Sequence, residues 1–187
     1  MKDLIPLKIG NEWIYKQTIY SKKTFKTKER IVTNKVIDSW EDESKMYIIN
    51  IFDEEYFVRN TEKGLRRSNF EKKVFITRSL FLKHPNTIEN TPFEYTEITE
   101  FYDMGDSFSM SEIATNKITL FSKYIDLKIN NKTYTCCQYI ISPITEVNNE
   151  MENYKTTIYI ALGVGIVKHI KENENEIISS ELTSEKL

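Results

Sequence analysis

With 187 residues, a 40% hydrophobic fraction and a net charge of −2, the chain is long enough to bury one core and too apolar to remain disordered. Its 5 glycines, 4 prolines and 2 adjacent cysteines leave no Pro-rich linker, low-complexity tract or disulfide framework. Charge is uneven, with 17 Lys and Arg against 12 Asp and Glu in residues 1–78 and 9 against 16 in the rest, a split that reads as ordinary solvated strand faces rather than one anion-attracting surface.

The opening MKDLIPLK lacks an apolar leader core, and no run approaches the roughly 18 apolar residues of a membrane span. The chain as written therefore reads as cytoplasmic, with the cell envelope or secretion as the alternative if a leader has been removed. NEWIYKQTIYSK alternates, placing Trp13, Tyr15, Gln17 and Ile19 on one face of a strand and Glu12, Ile14, Lys16, Thr18 and Tyr20 on the other. Trp13 is the expected core anchor. SKKTFKTK is a hairpin turn or an exposed edge where lysines discourage pairing, and KERIVTNKVIDSW is the next strand. SKMYIINIF and EYFVRN follow as consecutive antiparallel strands separated by DEE.

TEKG is a turn in which Gly64 takes a positive φ and closes a hairpin. VFITRSLFLKHP, stopped by Pro85, is one strand, and the turn-rich NTIENTPF around Pro92 is a loop. PFEYTEITEFYDM resumes strand composition, with Gly105 at the next turn. SEIATNKITLFSKYI has partial helical character, with Ser111 as the cap of a short helix. INNKTY marks the cleanest hairpin, because Asn130 and Asn131 tolerate left-handed backbone. TEVNNEMENYKT is a long loop or short helix; TIYIALGVGIVKHI is a strand, KENENE a turn and IISSELTSEK the last strand.

Gly163 and Gly165 lack the third glycine and following helix of a dinucleotide fingerprint; they read instead as a bulge or bend that lets one strand curl over the core. Cys136 and Cys137 point to opposite strand faces, one in the core and one near the surface, unpaired. His84 and His169 have no partner at ligand spacing, so no metal site is expected. No hydrolase, zincin or Walker motif is present, and the carboxylate clusters at 41–43, 53–55 and 172–176 read as solvated turns. No catalytic residue, cofactor or enzymatic activity is expected. Lys22 to Arg30 with Lys63, Arg66, Arg67, Lys72 and Lys73, interleaved with Phe25 and Phe70, could bind phosphate backbones, but nearby acids and a pI of about 5.8 argue against nucleic acid.

Both ends carry a resemblance. PLKIGNEWIYK, Pro6 to Lys16, resembles the opening of a loose group of small bacterial β-rich proteins, often exported or lipid-anchored. YTCCQYIIS, then TIYIALGVGIVKHI and a final SEL, is similar to their closing pattern. The resemblance implies a strongly curved antiparallel sheet, akin to periplasmic lipoprotein-carrier folds, with a concave apolar face; it implies an envelope location but no mechanism. The expected fold is thus all-β or β-rich α+β: one domain over residues 1–187, a single curved antiparallel sheet or half-barrel with at most one or two short helices. The expected function is non-catalytic binding of an apolar ligand or partner segment on the concave face, with Trp13, Tyr15, Tyr139 and Tyr159 as ligand-binding residues. The alternative is a protein-interaction or inhibitor protein that uses an exposed edge strand or charged face and no pocket.

Overall fold

Side-chain alternation is realised, among the described residues, as twelve strands. The computed structural model describes residues 2–40, 46–52, 54–68, 79–104, 108–144 and 154–187, of which 40, 54, 68, 79–80, 98–104 and 108–114 are described by backbone alone. The first six strands are β1 (Glu12–Ser21), β2 (Lys26–Trp40), β3 (Met46–Ile51), β4 (Glu54–Thr61), β5 (Gly64–Ser68) and β6 (Ser79–Lys83). After a 3-10 turn at Pro85–Thr87 come β7 (Phe93–Met104), β8 (Phe108–Ile129), β9 (Lys132–Pro143), β10 (Lys155–Ala161), β11 (Gly165–Glu172) and β12 (Glu176–Lys186).

All twelve belong to one antiparallel sheet with the order β6-β5-β4-β3-β2-β1-β12-β11-β10-β9-β8-β7. Each half is a meander, and the halves join where β1 pairs with β12, from Glu12 opposite Lys186 to Ser21 opposite Glu176. The two edges, β6 and β7, are consecutive in the chain and meet each other, so the sheet curls into a nearly closed barrel.

Side chains do at this seam what a backbone ladder does elsewhere. The Tyr95 hydroxyl accepts from the Lys83 amide at 2.9 Å and donates to the Phe81 carbonyl at 3.3 Å. From β9, the Tyr139 hydroxyl donates to the Lys83 carbonyl at 2.7 Å. The Lys83 ammonium lies 4.6 Å from the centre of the Phe93 ring and 4.8 Å from that of Tyr95. Arg67 of β5 reaches Glu97 of β7 at 3.3 Å, with the Glu97 side chain wholly buried. Burial pushes the Tyr95 and Tyr139 hydroxyls well above the usual phenol range, so both stay protonated and able to donate.

The N-terminal segment crosses one end of the barrel. Asn60 Nδ2 holds the Ile5 carbonyl at 2.7 Å, Gly163 N–H holds Asp3 at 2.8 Å, and the His84 ring binds the Lys2 carbonyl at 3.0 Å. Leu4 and Ile5 are thereby pressed into the core with Trp13, Tyr15, Ile160 and Leu182. His84 is buried and satisfied: its Nδ1 accepts from Asn86 N–H, which leaves Nε2–H to donate to Lys2.

Three sequence expectations are corrected. Ser111 caps no helix; it lies within β8, whose backbone pairs with β7 from Phe93–Leu120 to Met104–Phe108. The β-branched residues of that stretch favour the extended chain over a weak helical period. Gly163 and Gly165 do not bend a single strand: they sit in and just after the Leu162–Val164 turn and reverse the chain between β10 and β11, with φ of 78° and 108°. Cys136 and Cys137 are both buried, because β8 carries extra residues against β9 between Leu120 and Ile125, and that irregularity covers the second thiol. The Cys137 thiol donates to the Lys123 carbonyl within it. The Gly105 turn, the polar stretch at 145–153, the acidic cluster at 41–43, Asp53, and Phe70, Lys72 and Lys73 lie outside the described residues.

Candidate functional site

A closed sheet widens with strand number, and about eight strands enclose a space that side chains can just fill. Twelve leave room to spare. Large residues fill one part of the interior, where Trp13, Tyr15 and Tyr139 are almost wholly buried. Beside them remains a cavity of about 310 Å³. Among the described residues every strand except β7 lines it. Its wall is mostly aliphatic and aromatic, including Ile51, Val58, Leu65, Phe81, Ile141, Ile158 and Ile178, and Ile5 of the N-terminal segment closes part of it.

The opening follows from strand register. Pairing between β2 and β3 begins at Lys35 opposite Asn50, so the Lys26–Asn34 half of β2 has β1 beside it and no β3. Arg30 projects from this half, exposed yet lining the cavity, so the cavity meets solvent on that side. A polar row then runs inward across neighbouring strands. Arg30 Nε donates to Gln17 Oε1 at 2.6 Å, and Gln17 Nε2 donates to Ser180 Oγ at 3.0 Å. Ser180 stands opposite His169 of β11 in the register. Gln17 and Ser180 are buried, so these bonds offset their desolvation.

Phe52 enters the cavity from the β3–β4 turn. Its ring stacks on His169 at 4.6 Å and meets Tyr15 edge-on at 5.0 Å. Its φ of 50° lies in the left-handed region, which costs a non-glycine residue roughly 1–2 kcal/mol. The Asn34 side chain secures this geometry by accepting from Phe52 N–H at 2.8 Å. A bulky aromatic is thus held in an unfavourable conformation with its ring inside the cavity.

The buried Nδ1 of His169 has no hydrogen-bond partner. Burial, and secondarily the Lys171 ammonium, lower its pKa from 6.5 to about 4, so the ring is neutral at pH 7. The unfolded chain therefore binds this proton first as pH falls. The sign follows: stability present above about pH 6.5 is lost on acidification to about pH 4 and changes no further below it on this account. Over that window His169 accounts for a loss of about 3 kcal/mol. We predict that His169→Phe, which keeps a ring against Phe52, removes this component. Denaturant melts of both proteins at pH 7, 5.5 and 4 check it: a wild-type-minus-variant difference that stays constant with pH rules the account out.

Of the residues singled out in the sequence, Trp13, Tyr15 and Tyr139 lie on the inward face but inside the filled part of the core, and none of them lines the cavity. Each spends its polar atom on backbone: Trp13 Nε1 on the Val164 carbonyl at 2.6 Å, Tyr15 on Ile166 at 2.8 Å, Tyr139 on Lys83. Tyr159 follows the cavity-lining Ile158 and so projects to the other face, where its hydroxyl accepts from Gln138. The residues that do line the space include Gln17, Arg30, Phe52, His169 and Lys171. Gln17 was within reach, sharing the alternating face of Trp13 and Tyr15. Phe52 was not, because only the turn conformation turns it inward. Among the described residues no group of three or more His, Cys, Asp or Glu could hold a metal.

No family model matches the chain, and no curated protein sequence matches it. Solved structures do resemble it. A protein of Bacteroides fragilis classed as exported, with a YmcC-like fold, superposes with a TM-score of 0.58 at 12% identity over 100% of both chains. A protein of Parabacteroides distasonis classed as a lipoprotein gives 0.44 at 12% identity over 99% of each chain. The hypothetical lipoprotein YmcC of Escherichia coli gives 0.38 at 6% identity over 91% of this chain and 86% of its own. At such identities the likeness is one of fold, a YmcC-like one, and it is consistent with the loose group of β-rich exported or lipoprotein-like proteins that the two ends of the sequence resemble.

Proposed function

We propose that this protein is a non-catalytic binding protein that holds a small apolar molecule inside its barrel. The observation that carries this reading is the cavity itself: about 310 Å³, at the small end of ligand sites, lined chiefly by aliphatic and aromatic side chains and reached beside Arg30. The buried polar groups of the described residues support binding over chemistry, and neither cysteine lines the cavity. Burial pushes the Cys136 and Cys137 thiols up to about 12 and about 11, so neither is a nucleophile at neutral pH. Gln17 and Ser180 bond to one another rather than converging on a shared point. Docking through an edge strand draws less support, because β6 and β7 are engaged with each other through Tyr95 and Lys83.

The test is uptake of a neutral phenylnaphthylamine dye that brightens in apolar surroundings. Saturable, stoichiometric binding is expected, weakened at least about tenfold by Ile141→Trp, which fills the cavity from a half-buried wall position. A thermal melt of the variant within a few degrees of wild type confirms that it folds. Failure of the wild-type protein to take up dye, or equal uptake by the filled variant, refutes the proposal.

A further inference from the structure

Electrostatics of the lining narrows the ligand class, an inference that rests on the apolar-binding reading above. Among the described residues three cations line the cavity, Arg30, Arg67 and Lys171, and no carboxylate does. Arg67 is matched by the buried Glu97 and packs over the Phe81 ring at 4.1 Å. Lys171 differs. It lies 4.1 Å from the Tyr154 ring centre and makes no ion pair with a carboxylate among the described residues; its chain neighbour Glu172 is taken by Lys22, and Glu181 by Lys168. Thr156, its register partner on β10, also lines the cavity. Arg30 stands at the solvent side with its Nε on Gln17. A cation partly withdrawn from water into an apolar space is costly unless an anion meets it.

We propose that the cavity binds a single-chain amphiphile, its alkyl chain among the isoleucines and its anionic head, carboxylate or phosphate, at Lys171 and Arg30. The size is set by volume: at ~30 Å³ for each water-sized group, the space holds about ten, a chain of about ten carbons. A cationic head is repelled by such a lining and a neutral hydroxyl gains less from it than an oxyanion, which adds charge attraction to the hydrogen bonds.

Displacement of the bound dye by decanol, decanoate and decyl phosphate tests this. One or both anions should bind at least about tenfold more tightly than decanol. The tighter of the two identifies the head group. Lys171→Gln or Arg30→Gln should bring the anion-to-alcohol ratio towards one, while Lys117→Gln, on the exposed Glu94 pair, leaves the ratio as in wild type. If decanol binds and neither anion does better, the anionic head is refuted while the apolar-ligand reading stands. A preference for anions untouched by Lys171→Gln and Arg30→Gln refutes it equally. If the dye is not taken up at all, both readings fall; if it binds and none of the three displaces it, the amphiphile is refuted while the apolar-ligand reading stands.

Discussion

Replacing Trp13 with alanine is expected to cost about 4–6 kcal/mol, enough to unfold much of the population at 37 °C. Trp13 is 2% exposed, and its indole N–H donates to the Val164 carbonyl at 2.6 Å, tying the start of β1 to the β10–β11 turn. Gly165 lets it do so: a Cβ there would lie 3.3 Å from Trp13 Nε1. Truncation therefore leaves a cavity of aromatic size and an orphaned, partly buried carbonyl, two penalties that add. At roughly 2–4 °C per kcal/mol for a chain of this size, the melting temperature should fall by about 10–20 °C. Trp13→Phe retains most of the packing and loses the hydrogen bond, so about 1–2 kcal/mol is expected. Scanning calorimetry of the two variants decides the matter; an alanine variant melting within a few degrees of wild type would show that the turn is anchored otherwise.

Gly64→Ala should be comparably damaging for a different reason. The residue has a φ of 137°, and an added Cβ would stand 1.9 Å from the Leu82 carbonyl oxygen and 2.7 Å from the His84 amide nitrogen. Both are backbone atoms, so no side chain can rotate away. Strand β6 would have to leave β5, and β6 carries the seam to β7. A loss of at least about 3 kcal/mol is expected, the range of severe single substitutions. Gly10→Ala supplies the comparison: its φ is 92°, yet nothing lies within 4 Å of the new Cβ. Only the left-handed strain remains there, about 1–2 kcal/mol. Equal denaturant midpoints for the two variants would show that backbone conformation, and not the close approach of β6, sets the cost.

Much of this architecture was legible because a strand writes its two faces into alternate residues. Trp13, Tyr15 and Gln17 read as one face and are buried together, at 2%, 1% and 3% exposure. Asn130 announced its hairpin and does adopt a left-handed φ of 53°. What alternation does not encode is an irregularity on the neighbouring strand. Cys136 and Cys137 break the rule only because β8 is longer than β9 between their shared pairs. Closure of the barrel was equally illegible, since the seam is made of Tyr95, Lys83 and Glu97 acting across strands that exchange no ladder. The cavity depends on that closure and on Phe52, whose inward turn rests on its N–H donating to the Asn34 side chain. Aromatic composition pointed to Trp13 and Tyr139, the residues that fill the interior, rather than to those around the space left over.

The pairing of β1 with β12 sets a timetable for synthesis. Every other neighbour in the sheet is also a neighbour in the chain, so hairpins can form as they leave the ribosome. Trp13 and Tyr15 must wait for residues some 150 positions downstream, the distance to their Val164 and Ile166 acceptors. Until Glu176–Lys186 emerges, the first strand has β2 along one edge only, and its other, aromatic-rich edge is the part of a nascent chain most in need of a chaperone's cover.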